Sequence, residues 1–155
     1  MKTLRPYPRA TITPKGEHAL EKGHPWVYEN DILEAPGTAP ENGSLVDVVS
    51  PKGAYLGTGF LSLKSKIRVR LISRNANDRF DDAFWARRIA WAWQHRRTTL
   101  GGRGLPGAEP DTTCCRVVFS EADGLPGLVA DRYENVLVTQ VGTVGMERLR
   151  PVVYR

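Results

Sequence analysis

From Lys66 to Leu71, charged and apolar residues alternate, so that Ile67, Val69 and Leu71 share one face and Lys66, Arg68 and Arg70 the other. A period of two is the mark of a strand with one buried face. Just upstream, residues 44–50 and 54–61 are two β-rich runs either side of Pro51-Lys52-Gly53, which predicts a hairpin. Nearer the start, Thr11-Ile12-Thr13 is a short β-prone piece, Pro14-Lys15-Gly16 reads as a turn, and residues 17–22 allow one or two helical turns stopped by Gly23. Trp26-Val27-Tyr28 reads as a strand and residues 35–43 as a Pro/Gly loop. Short strands at this spacing predict a small β-barrel over residues 1–75.

The period changes after Asn75-Ala76-Asn77. Asp78, Asp81 or Asp82 can cap a helix over about 82–100, with Trp85, Ile89, Ala92 and Trp93 in one buried stripe and Trp91 also read as mostly core. Gly101-Gly102 ends it, and residues 101–113 read as a loop. A strand at 115–119, a turn at Asp123-Gly124-Leu125-Pro126-Gly127, and strands at 128–131 and 136–141 joined by Arg132-Tyr133-Glu134-Asn135 come next. A second helix starts near Met146. About 80 residues without closing elements bury a marginal core, so residues 76–155 read as an incomplete α/β domain cut within or just after an element. The expected class is α+β and β-rich, with no internal repeat.

Composition narrows the field. The chain has 155 residues, 41% hydrophobic and 25% charged, which excludes a disordered tail. No apolar run approaches the roughly 20 residues of a spanning helix. The opening MKTLRPYPRATIT has no apolar signal core. The expectation is a cytoplasmic protein with no membrane partner. Net charge is +5, and it is uneven: residues 1–75 hold 11 basic and 7 acidic side chains, residues 76–155 hold 11 and 10. An electrostatic footprint for nucleic acid belongs in the first half. Adjacent Cys114 and Cys115 suit neither a disulfide nor a zinc site and read as reduced strand residues.

Three stretches carry a family resemblance. They are Gly23-His24-Pro25-Trp26-Val27-Tyr28 with Ile32; Gly53-Ala54-Tyr55-Leu56-Gly57-Thr58-Gly59-Phe60 followed by Ser65-Lys66-Ile67-Arg68-Val69-Arg70; and, most specific, Glu121-Ala122-Asp123-Gly124-Leu125-Pro126-Gly127-Leu128-Val129-Ala130-Asp131-Arg132-Tyr133. Together they resemble the class I methyltransferases that modify the 5-position of cytosine in large-subunit ribosomal RNA. The resemblance implies a PUA-type pseudo-β-barrel that binds RNA over residues 1–75 and most of an α/β linking domain over 76–155. It also implies a Rossmann-like domain that binds S-adenosylmethionine, for which no positions here match. Gly57-Thr58-Gly59 lies inside a hairpin and Gly101-Gly102-Arg103-Gly104 follows a helix, so neither is a nucleotide-binding fingerprint. Catalytic, cofactor and metal residues are therefore expected to be none in this chain.

The candidate RNA-binding residues fall in two groups. By resemblance, the first helix and the loop before it bring in Lys15, Gly16, Lys22 and His24. By alternation, the basic strand face brings in Lys66, Arg68 and Arg70, extended by Lys64 and Arg74. The plainer reading of that face is a wetted outer surface, and that of His24 and Trp26 is packing of the helix end. Arg87, Arg88, Arg96 and Arg97 form a further basic group or simply a solvated helix face. Glu121, Asp123 and Asp131 read as turn and strand-end residues rather than a catalytic or metal group. The expected partner is ribosomal RNA. The alternatives are a subunit serving a separate catalytic chain, or an inactive shortened chain that pairs the open edge of its second domain with another copy.

Overall fold

The computed structural model describes residues 5–37, 40–101 and 112–155. The first four residues, part of the loop read at 35–43, and most of the loop read at 101–113 (Gly102-Arg103-Gly104 included) lie outside the described residues. The chain forms two compact units, residues 1–78 and 79–155.

The first unit runs β1 (Arg9–Ile12), α1 (Pro14–Glu21), β2 (Trp26–Tyr28), a 3-10 helix (Glu29–Asp31), β3 (Ile32–Glu34), β4 (Leu45–Val49), β5 (Tyr55–Leu61) and β6 (Ile67–Ser73). Its six strands lie in the order β2-β6-β5-β4-β1-β3. The two edge strands, β2 and β3, are separated in sequence only by the three-residue helix. A sheet whose edges are joined by so short a connection must curl, and this gives a half-barrel. Strand side chains Ile12, Val27, Val46, Val48, Leu61, Val69 and Leu71, with Leu20 of α1, form its core.

Two features depart from the sequence reading. β1 pairs parallel with β4, Arg9 to Asp47 and Thr11 to Val49, and antiparallel with the unforeseen β3. Pro14-Lys15-Gly16 is the first turn of α1, not a separate turn. Thr13 has extended backbone, and its hydroxyl accepts the Gly16 N–H at 3.1 Å. Proline in the first helical turn loses no hydrogen bond there. Asp31 Cβ would lie 3.1 Å from a Cβ at position 16, so glycine lets the helix start sit against the 3-10 helix. Thr13→Ala is expected to cost about 1 kcal/mol through the lost cap, read as a shift in the urea midpoint of the first unit. An unchanged midpoint would show that the Thr13 hydroxyl does not hold the helix start.

The second unit runs α2 (Asp82–Gly101), β7 (Cys114–Phe119), a 3-10 helix (Ser120–Asp123), β8 (Leu128–Tyr133), β9 (Val136–Val141), α3 (Val144–Arg148) and α4 (Arg150–Val153). The strands form an antiparallel sheet, β7-β8-β9. Asp81 caps α2 by accepting the Phe84 N–H at 2.9 Å. Phe84, Trp85, Ala92, Val118, Leu125, Leu128 and Met146 are buried, and Phe80, Phe84 and Trp85 meet ring to ring. Trp91, read from sequence as core, is 57% exposed. At about 100° per residue it stands roughly 120° round the helix from Trp85. β9 is exposed along most of its length, Val136, Leu137 and Val138 included.

Candidate nucleic-acid interface

β2 is an edge strand carrying Trp26 and Tyr28, and His24 lies two residues before it. The three rings touch in sequence, His24 to Trp26 at 5.6 Å and Trp26 to Tyr28 at 6.4 Å, both edge-on. The His24 ring also lies 3.2 Å from the Trp26 N–H, which donates to Nδ1. Tyr28 is partly exposed. Across the β2–β6 pair, Trp26 stands opposite Arg70, whose guanidinium lies 5.5 Å over the indole. Next along β6, Arg68 pairs with Glu29 and donates to the Ser62 carbonyl at 3.2 Å and to that of Leu63. The alternation of Lys66, Arg68 and Arg70 therefore does not make a uniformly wet face. Arg68 and Arg70 are half-buried, and Ile72 further along is buried.

Arg74 works from the other end of the strand. It donates to the Leu20 carbonyl at 2.6 Å, which also accepts the Gly23 N–H at 2.9 Å, and to the His24 carbonyl at 3.0 Å, tying the end of α1 to β6. Gly16 is buried. Lys15 and Lys22, near the two ends of α1, and Lys64 and Lys66, in the β5–β6 turn, are exposed. The 3-10 helix ties these groups together. Its Asp31 carboxylate accepts from Thr13, which caps α1, while the Glu29 N–H donates to the Lys66 carbonyl at 2.8 Å. The arrangement offers exposed cations for phosphates and a ring ladder for bases.

A polar cluster that sequence reasoning missed ties the start of the chain to β4 and β5. Asp47, 2% exposed, takes Arg5 Nε at 2.8 Å and the Thr58 hydroxyl at 2.6 Å. Arg5 also reaches Thr58 at 2.8 Å, and its guanidinium lies over the Tyr55 and Tyr7 rings at 4.9 and 5.4 Å. Burial raises the Tyr55 phenol above its ordinary pKa, against the opposing pull of the Thr58 hydrogen bond and the Arg5 charge. The one sequence signal was a carboxylate in the middle of the apolar strand Leu45–Val49.

The acidic group of the second unit is held structurally. Asp123 takes Arg96 at 2.6 Å and the Phe119 N–H at 2.6 Å. Asp131 takes both arms of Arg116 at 2.8 and 3.0 Å, a fork that holds its carboxyl below the ordinary range. Glu121 accepts from the Ser120 hydroxyl. Cys114 and Cys115 are free thiols. Among the described residues no His/Cys/Asp/Glu group could hold a metal, and no helix is long and apolar enough to cross a membrane.

S-Adenosylmethionine, which the family resemblance implies, does not fit the described residues. Of the strand-to-helix turns with a nearby glycine, β1 to α1 has Gly16 closed against Ile12 and Asp31, and β9 to α3 has Gly142 beside the Gly127 carbonyl and leads into a helix of only five residues with Gly145 buried; Gly57 and Gly59 face β6 backbone. None of them opens a phosphate- or nucleotide-sized cradle.

Known proteins match this architecture. Residues 10–74 fit the PUA-like domain family. The chain is 39% identical over 142 residues to ribosomal RNA large subunit methyltransferase I of Shewanella denitrificans, covering 92% of this chain and 34% of that protein. With the protein of the same name from Shewanella frigidimarina it shares 37% over 145 residues, covering 94% and 35%. A solved structure described as a candidate SAM-dependent methyltransferase from Streptococcus mutans superposes with a TM-score of 0.73 at 18% identity, over 94% of this chain and 36% of that one. Another, a candidate methyltransferase complexed with SAH, gives the same TM-score and identity. At that identity the likeness is one of fold. The chain thus spans about a third of the length of the curated relatives it matches; it carries a PUA-like domain at residues 10–74 and is homologous to large-subunit ribosomal RNA methyltransferases.

Proposed function

We propose that this chain is the RNA-recognising part of a cytoplasmic S-adenosylmethionine-dependent methyltransferase that modifies the 5-position of cytosine in large-subunit ribosomal RNA. The first unit grips the RNA, and the cofactor and the methyl transfer belong to a catalytic part that these residues do not supply. The observation that carries the reading is the 39% identity to a ribosomal RNA large subunit methyltransferase across 92% of the chain. The exposed lysines add physical support. Lys15, Lys22, Lys64 and Lys66 contact phosphates, His24 and Tyr28 border the bound strand, Gly16 holds the surface in shape, and Arg68, Arg70 and Arg74 do so while lending it charge. No described feature selects a second copy of the chain as the partner of the open β9 edge.

Electrophoretic shift of large-subunit ribosomal RNA fragments at two salt concentrations tests this. Binding should weaken as salt rises, because each neutralised phosphate releases counterions. A variant with Lys15, Lys22, Lys64 and Lys66 all changed to alanine should flatten the salt dependence by about 3 units of slope, roughly 0.7–0.9 per lysine. Salt-independent binding, or a variant indistinguishable from the parent, overturns the proposal.

A further inference from the structure

Between Ala86 and Leu100, helix α2 holds four arginines and no carboxylate. Arg96 is held by Asp123 and the Arg116 carbonyl. Arg87 is different. Its partners among the described residues are two rings, with the guanidinium 5.5 Å from Phe84 and 5.5 Å from Trp91. Arg88 approaches the same rings at 5.0 and 5.7 Å. Phe84 is buried, but Trp91 is 57% exposed. On the exposed side of the helix, Ala83, Ala86 and Ala90 are too small to cover it.

A lone exposed hydrophobic residue needs no explanation. A large flat ring bracketed by two cations, on a helix stretch without anions, is a more specific arrangement. The indole offers a π-face for a base, the neighbouring guanidinium offers charge for its phosphate, and the helix stretch itself adds no carboxylate to repel it. An acidic or apolar protein surface would not need that combination of face and charge. We propose that Trp91, with Arg87 and Arg88, forms a stacking platform for one unpaired base of single-stranded RNA. The platform lies on the second unit and shares no residue with the lysine surface of the first, so it takes from the reading above only the nature of the polymer.

Fluorescence titration of the full 155-residue chain with an unstructured oligouridylate of about ten nucleotides tests the platform. Stacking on the indole should quench emission. Trp91→Phe should remove the Trp91 share of the quench, leaving any from Trp26, while keeping most of the affinity, since a phenyl ring still stacks. Trp91→Ala should weaken binding about tenfold. Arg87→Ala should lower the salt slope by about 0.7, the single-strand value for one contact. Far-UV circular dichroism of Trp91→Ala checks that α2 stays helical, and Trp91→Phe gives a second reading with the helix face filled. A quench of full parental size in Trp91→Phe, unchanged affinity in Trp91→Ala, or a concentration-dependent dimer lost in Trp91→Ala without any RNA quench overturns the inference. Should the four-lysine variant bind ribosomal RNA like the parent while the Trp91 quench holds, the proposed function fails and the platform stands. The reverse pair of results overturns the platform alone.

Discussion

Asp47→Ala lowers the stability of the first unit by about 3 kcal/mol, the low end of what removing one partner of a buried ion pair costs. The low end applies because Arg5 keeps 17% of its side chain in contact with solvent. The loss has three parts. Arg5 Nε loses its carboxylate partner, the Thr58 hydroxyl loses an acceptor at 2.6 Å, and the rings of Tyr7 and Tyr55 then flank a cation that has lost the Asp47 counter-charge. Alanine in a strand also fills less space than the carboxylate it replaces. Thr58→Val, which keeps the ion pair and removes only the hydroxyl, should cost less, about 1–2 kcal/mol for the unsatisfied groups it leaves. Hydrogen exchange of the β4 and β5 amides reads both effects locally, without interference from the three tryptophans of α2. Equal protection in Asp47→Ala and the parent would mean that Arg5 does not tie the start of the chain to the sheet.

The same cluster shows where sequence reading stops. The β4–β5 hairpin was legible because its signal is local: two β-rich runs and Pro51-Lys52-Gly53 between them. A lone Asp47 inside Leu45–Val49 was passed over as part of a strand, and nothing local to it points to Arg5, 42 positions away. The parallel pairing of β1 with β4 and the short β3 left no local trace either, since three or four residues are too few for a period. Residues 14–16 misled because proline and glycine mark turns and first helical turns alike; only the Thr13 cap separates the two. Among candidate site residues, Lys15, Lys22, Lys64 and Lys66 were legible as charge and are exposed. Arg68, Arg70 and Arg74 carry the same charge, yet their surroundings include Glu29, Trp26 and the end of α1. Those neighbours come from elements up to 54 residues away, so alternation along one strand could not distinguish an arginine that braces the fold from one that waits for a ligand. Trp91 was misread for the opposite reason. Tryptophan is usually buried, and that tendency outweighed a helical phase that already pointed it outward.

Gly59→Ala is expected to be as damaging as Asp47→Ala, again about 3 kcal/mol, the upper end for overpacking, but to damage a different property. A Cβ at this position would lie 2.8 Å from both the Arg70 carbonyl carbon and Val69 Cγ1, and would strike the Arg70 carbonyl oxygen. The obstacle is mostly backbone, so no rotamer change relieves it. Conformational freedom is not the issue, because Gly59 is absent from the residues with positive φ. What glycine supplies is the close approach of β5 to β6 where their register shifts, between Thr58 and Gly59. Forcing the strands apart displaces Arg70 from Trp26 and opens the turn that carries Lys64 and Lys66. Gly59→Ala should therefore lose both stability and RNA affinity, the latter by about tenfold even under conditions where the chain stays folded. Asp47→Ala acts on β4 and β5 and leaves that turn alone, so its folded form should bind RNA like the parent. Measuring the affinity of both variants well below their unfolding midpoints separates the two effects. Parent-like RNA binding by folded Gly59→Ala would show that the spacing of β5 and β6 does not set the lysine surface.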